Sequence, residues 1–220
     1  HLEIELNNRL TQREGGDANA VWQISSDIFF KKKIRLALNI LFDEFVFDPD
    51  IEKDKEHGKA ASFSFAIPYT IDNKIQVNAK GSIIYVGTPT FRHGHGNNNF
   101  IANSNPLGWE HGSDGYEMNI GLDFYNENNI IASLLIGKVV TGSESITSRP
   151  YDRYSDYLKG KFPSGIQKKT AYVEVEYEHV LKPFSILFGS LHINGFLKKK
   201  PKASVIVGVK YSFKDIFKLN

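Results

Sequence analysis

Four groups of residues have the types and spacing to do chemistry. His93 and His95 stand two apart in Phe91-Arg92-His93-Gly94-His95-Gly96. On a strand that spacing puts both rings on one face, the start of a metal pair. The chain has no cysteine, and no clear carboxylate set completes a ligand sphere. Polar loop histidines are the simpler account, and no metal or cofactor is expected. The run Asp48-Pro49-Asp50-Ile51-Glu52-Lys53-Asp54 offers oxygen ligands for calcium. It lacks the glycine and terminal glutamate of an EF-hand, and its lysines compete, so it reads as a solvated loop. Ser190 and His192 share a strand face, with Asn194 next, which raises the question of a barrel hydrolase. A nucleophile needs its base within hydrogen-bond reach, and residues two apart on a strand are roughly 6.6 Å apart along its axis. An enzyme is therefore not expected. Around Pro150, Tyr151, Arg153, Tyr154 and Tyr157 precede Lys159. Packing within a loop is the plain role of that group. Its functional role would be rings stacked on sugars and cations paired with the carboxylates of acidic glycans.

The elements that must position these groups are strands. Ala203–Phe213 sets Ala203, Val205, Val207, Val209, Tyr211 and Phe213 against Ser204, Ile206, Gly208, Lys210 and Ser212. A period of two with one wholly apolar face marks a strand with one side out of water. Similar alternation runs through Leu2–Leu10, Ala20–Phe30, Ile34–Phe47, Ala61–Ile71, Lys74–Tyr85, Tyr116–Tyr125 and Ala171–His179. Ile130–Val140 is apolar on both faces, so its register is not readable, and Phe184–Ile193 is mixed. The count is about ten strands, each near the ~9–11 residues that a tilted membrane strand needs. The opposite face collects Glu3, Glu5, Arg9, Asp27, Arg35, Asp43, Lys80, Glu117, Asp123, Glu174, Glu176, Glu178 and Lys210. Charges of both signs on one face need water or partners there.

Composition narrows the class. The 220 residues suffice for one β domain, expected over the whole chain. Net charge is +2 from 27 basic and 25 acidic residues, which is not the excess that argues for nucleic acid. No run of 18 apolar residues occurs, so a transmembrane helix is not expected. A transmembrane barrel is still allowed, because only every second residue of a strand must be apolar. The chain opens on His1 and reads as a C-terminal fragment of a longer barrel protein.

The connections alternate in length. Those at Lys31-Lys32-Lys33, Asp72-Asn73, Asn126–Asn129 and Leu181–Pro183 are short. Those at Thr11–Asn19, Asp48–Lys59, Val86–Gly115, Thr141–Lys169 and Gly195–Lys202 are longer. Short turns on one side and long loops on the other are the asymmetry of outer-membrane barrels. A soluble antiparallel sheet with its polar side in solvent is the plainer alternative.

Two resemblances follow. The last strand, ending on Tyr211-Ser212-Phe213, resembles the closing strand of bacterial outer-membrane β-barrels, although Lys214–Asn220 run on past it. This places the C-terminus in the periplasm and the long loops outside the cell. The second lies in the long connection: Arg92-His93-Gly94, Asn99-Phe100, Asn105-Pro106-Leu107-Gly108 and His111-Gly112-Ser113-Asp114. This segment resembles the Wzi-like capsule-assembly proteins of outer membranes. The resemblance implies an antiparallel transmembrane barrel of about eighteen strands, of which these ten are the C-terminal part. It implies a lectin-like anchor for capsular polysaccharide, without catalytic residues. Lipid and lipopolysaccharide surround such a barrel, and other outer-membrane proteins are possible neighbours. The expected glycan-binding residues are Arg92, His93, His95, Trp109, His111, Tyr151, Arg153 and Tyr154. A passive channel, or a structural subunit of an outer-membrane complex, is the alternative that the Glu-rich face allows.

Overall fold

The computed structural model describes residues 2–8, 20–31, 33–43, 56–71, 74–92, 99–103, 105–148, 160–181 and 185–211, with side chains from Val21 onward. The described chain is all β and contains no helix. Ten strands form one antiparallel sheet: β1 (Leu2–Asn8), β2 (Ala20–Phe30), β3 (Ile34–Phe42), β4 (Lys59–Ile71), β5 (Ile75–Val86), β8 (Gly115–Asn126), β9 (Ile130–Thr141), β10 (Lys168–Leu181), β11 (Ser185–Asn194) and β12 (Lys202–Tyr211). A small hairpin, β6 (Ile101–Ala102) and β7 (Asn105–Pro106), lies in the connection from β5 to β8. Each strand of the large sheet pairs with the one before and after it. The sheet is open, with β1 and β12 as its edges.

The pairing carries each strand's alternation into the next. One row reads Tyr69, Val77, Phe124, Ala132, Tyr177, Gly189, Val207 from β4 to β12. The adjacent parity reads Asp27, Ala37, Ser64, Ser82, Asn119, Gly137, Tyr172, Asn194, Lys202. The register of β9, unreadable from its own residues, is set by its neighbours: Leu134 stands between Leu122 and Val175. Its apolar-face residues are therefore Ala132, Leu134 and Ile136.

The apolar face is uncovered. Ile28 is 54% exposed, Ile120 63% and Val207 72%. Ten strands about 4.8 Å apart make a face roughly 40 Å wide. A soluble monomer rarely exposes a continuous apolar patch beyond about 300–600 Å², and this face is several times larger. The polar face is internally paired. Lys80 Nζ lies 2.6 Å from Asp123, Asn78 donates to the same carboxylate at 3.1 Å, and Arg35 grips Asp27 across the sheet.

The turns at 31–33, 72–74, 127–129 and 182–184 are three residues each and all lie at one end. At one of them Asn126 Oδ1 accepts from the backbone of Asn128 and Ile130, and Asn129 takes φ 60°. Asparagine tolerates that left-handed backbone and ties its own turn. The longer connections leave from the other end. Two of them fold back onto the polar face there. Val86, Phe91, Trp109, Val139, Ile146 and Tyr172 form the buried cluster, with Leu41, Ala60, Ile84 and Leu135 packed against it. The core thus lies between strand ends and connections, not between two layers.

Asp114, fully buried, ties these connections together. Its carboxylate accepts from Thr88 Oγ1 and Ser164 N at 2.9 Å each, and from Glu144 N at 3.0 Å. Ser164 Oγ donates to it as well. Its backbone carbonyl accepts from Gly142 N at 2.7 Å. A Cβ at Gly142 would lie 2.0 Å from Asp114 Oδ2, so only glycine fits. Asp114→Ala removes the acceptor of Thr88 Oγ1, Ser164 N and Ser164 Oγ and leaves Glu144 N only its 3.2 Å contact with Ser164 Oγ. We expect a loss of about 3 kcal/mol or more, with new protease cuts in 87–114 and 142–166 before any in the strands. An unchanged melting temperature and cleavage pattern would show that the connections are held by other contacts.

Candidate functional site

Beside this core, a cavity of about 630 Å³ opens on the polar face between β8 and β12. Its size falls in the roughly 300–1,000 Å³ range of small-ligand pockets. Asn119 of β8, Thr170, Tyr172 and Glu174 of β10, and His192 and Asn194 of β11 contribute to its wall. Lys168 and Lys202, from strand ends, and Lys198 and Lys200, from the β11–β12 connection, also line it. These side chains meet because they share one parity of the sheet. Tyr172 is paired with Asn194, Glu174 with His192, and Asn194 with Lys202.

Glycine fixes the centre of the wall. The Tyr172 ring lies flat over Gly137, where a Cβ would stand 2.3 Å from the ring. So placed, Tyr172 donates its hydroxyl to Glu117 Oε1, and Trp109 Nε1 donates to Glu117 Oε2 at 2.9 Å. Asn119 adds a weaker bond to the Tyr172 hydroxyl at 3.4 Å. On the other side His192 stacks on Tyr172, with ring centroids 6.2 Å apart and planes 15° apart. Glu174 holds His192 Nδ1 at 2.8 Å. The wall is therefore pre-organised: an aromatic plane, flanking amides and hydroxyls, and carboxylates already engaged.

Of the eight residues expected to bind glycan, His93, His95, Tyr151, Arg153 and Tyr154 lie outside the described residues. Arg92 is fully buried and Trp109 is 7% exposed. Neither presents its side chain at a mouth, which corrects the expectation for both. Trp109 became a core residue because Gly115 leaves its ring room and Glu117 satisfies its N–H. His111 alone lies at the cavity, half exposed, edge-on to Trp109 and 3.2 Å from Glu110. The acidic run at 48–54 and the terminal Phe213 also lie outside the described residues.

Glu110, His111 and Glu117 bring potential metal-ligand atoms within 4.8 Å of one another. Both oxygens of Glu117 already serve Trp109 and Tyr172, so the cluster reads as part of the wall. Ser190 forms no hydrogen bond with His192 among the described residues, and His192 is held by Glu174 instead. A serine–histidine nucleophile is not assembled there.

Sequence reasoning missed Tyr172, Glu174, Asn194 and the four lysines as one group. The signal was present as shared parity on neighbouring strands, but only the pairing register brings the group together. Gly137→Ala should push Tyr172 off its seat, costing about 1–3 kcal/mol as an overpacked site does. The near-UV dichroism of the tyrosine and tryptophan side chains should fall with the melting temperature. Retention of both would mean that the ring does not rest on Gly137.

Compared with family models, with curated proteins and with solved structures, the chain matches none, and the site is read from its own chemistry.

Proposed function

We propose that this chain forms part of an outer-membrane β-barrel that binds surface polysaccharide at its long-connection end. The observation that carries the reading is the division of the sheet: one face apolar and exposed across the nine large-sheet strands from β2 to β12, the other polar and bearing a hydrophilic cavity where the long connections fold. Lipid accounts for the first face. The large-sheet strands β2 to β5 and β8 to β12, of 9–14 residues, have the length to cross a bilayer when tilted. Three-residue turns at one end and longer connections at the other match periplasmic and extracellular sides in that order. The cavity's amides and hydroxyls, from Asn119, Asn194 and Thr170, suit the hydroxyls of sugars. The described residues of the segment resembling capsule-assembly proteins, Phe100, Trp109 and Asp114 among them, pack on the polar face beside the cavity.

The membrane part is tested by Ile120→Arg on the apolar face against Gln76→Arg on the polar face. The first arginine should cost about 2–4 kcal/mol of stability in the bilayer and reduce the outer-membrane fraction, while the second should not. Equal behaviour of the two variants would refute a lipid-facing side.

The glycan part is tested by titrating purified full-length protein in detergent with the surface polysaccharide of its own cell. Thr170→Trp, which fills the cavity, should weaken binding at least tenfold. No binding by either protein, together with ion conductance in planar bilayers, would favour the passive channel instead.

A further inference from the structure

The charged side chains of the polar face are not all alike. Lys80 is paired with Asp123, Lys210 with Glu178 and Arg35 with Asp27. Lys168, Lys198, Lys200 and Lys202 line the cavity and have no ion-pair partner among the described residues. The carboxylates of the same cavity are committed elsewhere. Glu117 serves Trp109 and Tyr172, Glu174 serves His192, and Glu110 lies against His111. The four ammonium groups outnumber the cavity's three carboxylates, Glu110, Glu117 and Glu174, and an anion placed among the lysines is attracted.

The backbone that carries these exposed lysines is tied to the sheet. Lys168 and Lys202 stand at the ends of β10 and β12, both with polar-face parity. The connection carrying Lys198 and Lys200 begins at Gly195, with φ 68°. Gly195 N donates to Ala171 O at 2.6 Å, and Lys198 N donates to Gly195 O at 2.8 Å. The stem of Lys198 lies against Gly195, where a Cβ would approach its Cδ to 3.0 Å. A turn tied in this way limits the ordering cost of binding.

We infer that the cavity recognises an acidic saccharide, whose carboxylate or phosphate groups are held by Lys168, Lys198, Lys200 and Lys202 while its hydroxyls meet the side chains of Thr170 and Asn194. This rests on the proposal that the long-connection end meets surface glycan, and it names the class of glycan: anionic rather than neutral. A carboxylate would come from uronic acids of a surface polysaccharide. A phosphate would come from the sugar headgroup of lipopolysaccharide.

The test uses the full chain in detergent and four probes: oligogalacturonate, neutral maltoheptaose, lipopolysaccharide micelles and the same lipopolysaccharide after dephosphorylation. At low salt the protein should bind oligogalacturonate or intact lipopolysaccharide at least tenfold more tightly than the neutral counterpart, and added salt should weaken that binding. The first preference identifies a carboxylate source and the second a phosphate source. The combined variant K168Q/K198Q/K200Q/K202Q should lose at least tenfold. The matching lysine-to-arginine variant should stay within about threefold, because it keeps the charge. Unchanged strand dichroism and melting temperature exclude misfolding as the cause.

Equal binding of neutral and charged probes, unchanged binding by the glutamine variant, or no binding of either anionic probe would overturn the inference. The same variants separate this inference from the broader proposal. If native polysaccharide binds and the glutamine variant retains that binding, glycan binding stands and the lysine site falls. If native polysaccharide fails while a charged probe binds through the lysines, the lysine site stands and the polysaccharide reading falls.

Discussion

The organisation of the long-connection end depends on one buried carboxylate. Asp114 accepts hydrogen bonds from Thr88, Glu144 and Ser164, which belong to two different connections. A buried charge is tolerated only when its hydrogen-bonding capacity is met, so these partners are fixed as a set. Ser113 and Ser145 extend the clasp. Ser145 Oγ donates to His111 O at 2.9 Å, and Ser113 Oγ accepts from Ile146 N at 3.0 Å. Ile146 then enters the apolar cluster with Phe91 and Trp109. Trp109 in turn locates Glu117, and Glu117 locates Tyr172. The cavity wall is thus set by a chain of contacts that begins at a loop aspartate.

The motif that resembles capsule-assembly proteins gains a physical account from the same contacts. Gly108 has no side chain because a Cβ there would meet the Phe91 ring at 2.8 Å. Phe91, at φ 66°, donates its N–H to Asp43 and stacks near Phe100 at 5.7 Å. Gly112 adopts φ 88°, and a Cβ on it would stand 2.6 Å from Ser145. Asn105 and Pro106 form one strand of the small hairpin that returns the chain. These residues have a folding role whatever the cavity binds. Their presence is therefore an argument about loop architecture first and about ligand second.

The strands were legible in the sequence because a half-buried antiparallel strand writes its two faces as alternating letters. All ten expected strands occur, with ends shifted by a few residues. β10 starts at Lys168, since pairing of Lys168 with Thr141 extends the ladder beyond the apolar alternation. β3 ends at Phe42, and Asp43 leaves the ladder to bind Phe91. The long connection expected at Val86–Gly115 hides a two-residue-per-strand hairpin too short to leave a pattern. The site was less legible. Arg92 and Trp109 looked like presented recognition residues because polar and aromatic side chains in a Gly-rich loop usually face water. Whether such a loop folds outward or onto the sheet is decided by tertiary partners such as Glu117 and Asp114, which lie eight and five residues from Trp109.

The two ends of the sheet carry different physical burdens. At the short-turn end three of the turns close with local bonds, Lys33 N to Phe30 O, Lys74 N to Ile71 O and Asn129 N to Asn126 O, and the connections there are only three residues long. At the other end the connections bury a core of their own against strand ends, and this makes a rigid wall possible outside the strands. Rigidity there matters for binding, because a wall already satisfied internally has little to gain from collapsing onto itself. Glu117, Glu174 and Tyr172 are spent on the wall; Lys168, Lys198, Lys200 and Lys202 are not. A site in which four lysines without an ion-pair partner outnumber three hydrogen-bonded carboxylates is selective for charge before it is selective for shape. The anionic preference follows from that excess, and a wall whose own groups are already satisfied supplies the fixed shape against which one sugar is distinguished from another.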